Sequence, residues 1–136
     1  MESLNKFAPL AGRVLLALPF LMAGIGKFAA PEAMGGYMAS VGLPTVLLYP
    51  SAIFEVAAGL LLIVGFQTRW VALLTAAFTL LATAIFHNNL GDQVTQLMAL
   101  KNLAMIGGLL YVAAYGAGAF SIDNAGKTLS TRPAQA

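Results

Sequence analysis

Apolar residues fill four long stretches of this chain, at about 7–28, 46–65, 70–86 and 97–119, and polar residues collect between them. Each stretch approaches the ~20 residues that an α-helix needs to cross a bilayer. Their non-alternating composition, rich in Ala, Leu and Gly, reads as helix and offers no strand pattern. The pattern predicts an all-α membrane protein: a four-transmembrane-helix antiparallel bundle occupying residues 1–123. Only Phe66-Gln67-Thr68-Arg69 separates the second stretch from the third. A link that short makes those helices antiparallel neighbours.

The first loop carries a pattern of its own. Pro31 and Glu32 suit a first helical turn, and Gly42 followed by Pro44 stops it. Between them Met34, Tyr37, Met38 and Val41 recur at i, i+3, i+4 and i+7, which is one apolar helix face. This predicts a short interfacial helix in the first outer loop, serving as a surface anchor or as a lid over the bundle's mouth. After Phe120 the chain turns polar, and residues 124–136 read as a cytoplasmic tail with a disordered end. A signal peptide competes for residues 1–30. Arg13 would interrupt its apolar region and no small-x-small cleavage site follows, so a retained helix is expected.

Composition agrees with lipid as the solvent. Charged residues are 9% and hydrophobic ones 60% of the 136 residues, against about 25% charged in a soluble domain. The net charge of +2 is too small and dispersed to suggest nucleic acid. It bears on topology instead. Lys6, Arg13, Arg69, Lys127 and Arg132 fall on or near one side, and Lys27 and Lys101 toward the other. The positive-inside rule then places both termini in the cytoplasm. With no cysteine, the chain has no disulfide, thiol redox or iron–sulfur ligand of its own. Its single histidine, His87, rules out bis-histidine haem within one subunit, and no metal site is expected.

Against this background one residue is out of place. Glu55 lies mid-span, where a carboxylate is unfavourable by roughly 2.5–3.5 kcal/mol on insertion scales and needs a partner or a task. Side chains lean toward their own helix's N-terminus. In the predicted topology Lys27, Glu55 and His87 therefore converge on the outer half of the bundle. Lys101 is a further candidate partner or snorkels to the interface, and Asn102 can reach inward. Glu55 is either half of a buried ion pair with Lys27 or Lys101, or, with His87, a proton-transfer group facing a bound carbonyl or phenol. Thr75, Thr79 and Thr83 lead to His87 at i+4 spacing. They bond back to the preceding turn or make a hydrophilic path. Arg13, Arg69 and Asp123 read as a structural and topological set. Gly12, Gly24, Gly26, Gly59, Gly107 and Gly108 allow close helix approach.

Several of these residues also carry a resemblance. Arg13 is followed by Gly24-Ile25-Gly26-Lys27-Phe28, the Met/Tyr helix ending Val41-Gly42-Leu43-Pro44, and Phe54-Glu55-Val56 with Gly59. Then come Gly65-Phe66 to Arg69, Phe86-His87-Asn88, Lys101-Asn102-Leu103-Ala104 with Gly107-Gly108, and Gly116 to Ser121-Ile122-Asp123. In this order, over residues about 7–123, the chain resembles the DoxX (DoxX/DoxD-like) family. The resemblance implies a four-helix bacterial inner-membrane protein, linked through relatives to thiosulfate:quinone oxidoreductase, quinone or oxidative-stress systems. Lacking cysteine, this chain does not suit thiosulfate, whereas a quinone is compatible. Three functions follow as alternatives: a quinone-interacting oxidoreductase subunit, a non-catalytic anchor for a soluble redox enzyme, or a small-molecule transporter built as a homodimer. No dinucleotide fingerprint is present, so any flavin would come from a soluble oxidoreductase partner.

Overall fold

The structure, a computed structural model, describes residues 1–86 and 91–125. His87 and the tail from 126 onward, both assigned roles above, lie outside the described residues. In chain order the elements are α1 (Glu2–Ala29), α2 (Pro31–Ser40), a 3₁₀ turn (Thr45–Leu47), α3 (Leu48–Val64), α4 (Thr68–Phe86) and α5 (Gln93–Tyr115). The described residues contain no strand. α1, the Thr45–Val64 run, α4 and α5 are each long and apolar enough to cross a membrane, which is the four-helix bundle expected.

Helix ends follow from local chemistry. α2 opens on Pro31 at its first turn and closes where Gly42 takes a φ of 82° and Leu43 N–H bonds back to Met38 O at 3.0 Å. α3 ends at Gly65, whose φ of 73° favours a residue without Cβ, and whose N–H reaches Leu61 O at 2.8 Å. α5 departs from the expected 97–119. It starts at Gln93 because the Asp92 carboxylate accepts from Thr95 N at 3.0 Å and from Thr95 Oγ1 at 2.8 Å, an N-cap. It stops at Tyr115 because Gly116 and Gly118 take φ values of 83° and 87°. α1 begins at Glu2, and its 28 residues span about 42 Å. That exceeds the ~30 Å hydrocarbon core, so its first turns extend past the bilayer.

α1 and α3 form the most extensive helix pair and run antiparallel. A Cβ on Gly24 would lie 2.9 Å from Ala52 O, and one on Gly59 would lie 3.3 Å from Ala17 O. Small residues thus bring the two backbones together, as membrane helices without a hydrophobic drive require. α4 pairs with α5, and a core of Ala17, Phe20, Leu62, Ala72, Ala76 and Leu109 joins the two pairs. Gly108 packs against Leu16, whereas a Cβ at Gly107 would meet nothing within 4 Å. α5 fully buries only Ala99 and Leu109, packs Met105, Ile106, Val112 and Ala113 against the core, and turns Val94, Leu97, Leu100, Leu103, Leu110 and Tyr111 outward.

Exposed aromatics mark both ends of the bundle: Trp70, Tyr111 and Tyr115 at one, Phe28, Tyr37 and Tyr49 at the other. Such residues sit at membrane–water boundaries. Tyr37 stacks on Phe86 with ring centroids 5.1 Å apart, which fastens α2 to the end of α4. Of the four residues on the expected apolar face of α2, only Met38 is buried.

The glycine contacts separate two kinds of substitution. Gly24→Ala should lower the thermal midpoint in detergent, with a loss of about 1–3 kcal/mol from overpacking. Gly107→Ala should be neutral or slightly stabilising, because it gains helix propensity without a clash. Equal midpoints for the two variants would contradict the α1–α3 packing.

Candidate functional site

Two polar centres occupy opposite ends of the bundle. The first lies where α1 ends beside the middle of α3. Lys27, in the last turn of α1, donates to Glu55 Oε1 in an ion pair. Glu55 is 3% exposed, and the lysine is part-buried. Its carboxylate also lines a cleft of about 160 Å³ between α1, α3, α4 and α5. Phe20 and Phe78 supply flat apolar walls, and Lys101, Asn102 and Thr79 supply polar ones.

Of the residues singled out from sequence, the structure therefore brings together Lys27, Glu55, Lys101 and Asn102. Lys27 is the ion-pair partner; Lys101 lines the same cleft but is solvent- or lipid-exposed. Asn102 Nδ2 donates to Thr83 Oγ1 at 3.0 Å. The threonine stripe is bonded back on itself: Thr75, Thr79 and Thr83 donate to Val71, Thr75 and Thr79 carbonyls at 2.6–2.7 Å. It supports Asn102 without forming an open polar path. The aromatic walls went unnoticed in the sequence, because Phe20 and Phe78 differ from ordinary core residues only by their neighbours.

The second centre is built around Arg13, which is 1% exposed. Its Nη1 donates to Leu62 O at 2.8 Å and Ile63 O at 2.9 Å, and its Nη2 donates to Phe120 O. A cation thus sits at the C-terminus of α3, where the helix dipole favours it. Gly65 is needed here for space as well as for its backbone angle, since a Cβ would approach Arg13 Nη1 to 2.7 Å. The segment after α5 closes the junction: Ile122 N and Asp123 N donate to Val64 O and Gly65 O, both at 2.9 Å. The Asp123 carboxylate then accepts from Gln67 N at 2.8 Å and Thr68 N at 2.9 Å, capping α4. Partial burial opposes its ionisation, yet the hydrogen bonds from Thr68 and Gln67 and the nearby Arg13 outweigh this and hold its pKa below the ordinary 3.8. Arg69 stays apart from this network. It is exposed, lies beside Gly116, and forms no hydrogen bond or ion pair among the described residues.

The chain is similar in sequence to known proteins. The DoxX family model matches residues 8–88. Escherichia coli (strain K12) inner membrane protein YqjF is 40% identical over 123 residues, 90% of this chain and 95% of its own length. Inner membrane protein YphA of the same strain is 34% identical over 121 residues, 84% and 86% of the respective chains. A Bacillus subtilis (strain 168) protein named "Putative oxidoreductase CatD" is 34% identical over 64 residues, 47% of this chain and 48% of its own. No solved structure matches the chain.

Two expectations follow for the Arg13 junction. Arg13→Ala strands several buried carbonyls and should destabilise the bundle by about 3 kcal/mol, read as a lowered denaturation midpoint. Asp123, with its folded-state pKa depressed, contributes stability fully above the unfolded aspartate value, and that contribution disappears as pH falls through the folded one. Thermal stability should therefore drop on acidification below about pH 3.9. An Asp123→Asn variant should show a shallower drop across that range; an unchanged acid profile would remove Asp123 from the account.

Proposed function

This chain belongs to the DoxX family of inner-membrane proteins, and on that premise we propose that the Glu55 cleft receives a quinone head group. The supporting observation is the ion-paired carboxylate facing an aromatic-walled cleft inside a lipid-embedded bundle. A quinone partitions into lipid, is flat, and needs polar partners only at its oxygens. The cleft, at about 160 Å³, is smaller than the 300–1,000 Å³ usual for whole small-molecule ligands. It suits a single ring whose tail remains among the lipid chains.

In this reading Phe20 and Phe78 sandwich the ring. Lys101 and the Asn102 amide, which line the cleft, donate to a quinone oxygen, with Asn102 oriented by Thr83. Glu55 exchanges protons with that oxygen as the ring is reduced, and Lys27 holds the carboxylate in place and compensates its charge. His87, outside the described residues, is the second candidate for proton transfer. Electrons come from a soluble oxidoreductase partner, in keeping with the oxidoreductase name of one relative. Both termini face the cytoplasm, so the Arg13 junction is the inner end and the quinone site lies in the outer half.

Purified protein should retain quinone from the membrane, measurable by extraction and chromatography. Folded Glu55→Gln should retain at least tenfold less. Because a single truncation leaves a buried charge unpaired, the double variant Lys27→Met with Glu55→Leu is the better-folded test and should also lose the quinone. Wild-type retention in either folded variant would rule this site out.

A further inference from the structure

At the opposite end from Glu55, α4 begins and α5 ends around an open cleft of about 410 Å³. Arg69, Trp70, Tyr115, Gly116 and Asn124 are among its walls. Asp123 also lines it, but both of its oxygens accept backbone N–H groups and its charge faces Arg13. Gln67 N and Thr68 N at the start of α4 are thereby already engaged. Arg69 is left as an exposed guanidinium with no partner among the described residues. The guanidinium lies beside Gly116, where a Cβ would come within 3.3 Å of Nε. The flanking Trp70 and Tyr115 are 68% and 77% exposed, and Tyr115 is stacked on Tyr111.

We propose that this cleft binds the phosphate of an anionic phospholipid head group, held by the Arg69 fork between Trp70 and Tyr115. A planar guanidinium matches phosphate oxygens two at a time. Exposed tryptophan and tyrosine belong at head-group depth, which is where the ends of two spanning helices lie. Basic pockets between such helices are suited to anionic head groups. The small residue Gly116 opens the gap that lets the head group reach Arg69. The acyl chains would run along the exposed apolar surface of α5.

Trp70 is the chain's one tryptophan, so the cleft carries its own fluorescent reporter. Protein reconstituted in phosphatidylcholine vesicles is titrated with phosphatidylglycerol brominated on its acyl chains, and in parallel with brominated phosphatidylcholine. The anionic lipid should quench Trp70 at a several-fold lower mole fraction. Arg69→Gln should reduce that preference by about fivefold, as expected for loss of one cation at the membrane surface. Arg69→Lys, which keeps the charge but loses the fork, should fall between the two. Inorganic phosphate at millimolar concentration should leave the quenching unchanged. Equal quenching by both lipids in wild-type protein would overturn the proposal without relying on any variant. So would an unaltered preference in folded Arg69→Gln, or displacement of the lipid by inorganic phosphate, which would make a free anion the occupant.

Discussion

Lipid offers no hydrogen bonds, so every helix end near the bilayer must find partners for its backbone within the protein. The Arg13 junction is where this chain meets that demand. The last turn of α3 has its carbonyls met in succession by Gly65 and Phe66 N–H, by the Arg13 guanidinium, and by Ile122 and Asp123 N–H. The first N–H groups of α4 are met by the Asp123 carboxylate. Three chain segments distant in sequence, at residues 13, 61–68 and 120–123, are thus joined by one arginine and one aspartate. The tight Gly65–Gln67 turn depends on them, because it has too few residues to satisfy its own ends.

The two charged centres solve the same problem in different ways. Arg13 disperses its charge over carbonyl dipoles and is sealed from the surroundings, which suits a fixed joint. Lys27 and Glu55 neutralise each other while the carboxylate still borders a cleft. A pair so placed is held but accessible, and that is the arrangement a polar ligand arriving from lipid requires. Packing explains the difference. α1 and α3 touch backbone to backbone through Gly24 and Gly59, whereas α5 meets its neighbours through few buried side chains.

Much of this was legible in the chain. Four apolar stretches gave the spans, and the N-terminal lean of helical side chains brought Lys27 and Glu55 together from opposite directions. Pro31, Gly42 and Pro44 bounded α2. The last helix was misplaced at both ends. Its start depends on Asp92 capping Thr95, a signal visible in sequence but overshadowed by the later apolar run. Its end depends on Gly116 and Gly118, which look like ordinary small residues of a membrane helix until their φ values are known. Arg13 was read with Arg69 and Asp123 as a structural and topological set. Its actual acceptors are three main-chain carbonyls, two of them 49 and 50 residues away, and carbonyls leave no trace in a sequence. The same holds for the cleft walls, since a phenylalanine's neighbours across a bundle follow from packing alone.

The reach of Arg13 also sets an order on assembly. The chain emerges from its N-terminus, and Arg13 enters the membrane with the first helix. Leu62 and Ile63 arrive only with α3, and Phe120 arrives after α5. Until then the guanidinium lacks its full set of acceptors, and the end of α3 lacks Ile122 and Asp123. The junction therefore registers completion of the whole bundle. A chain truncated before residue 120 would keep its four hydrophobic spans and yet leave Arg13 Nη2 and the Val64 and Gly65 carbonyls without these partners.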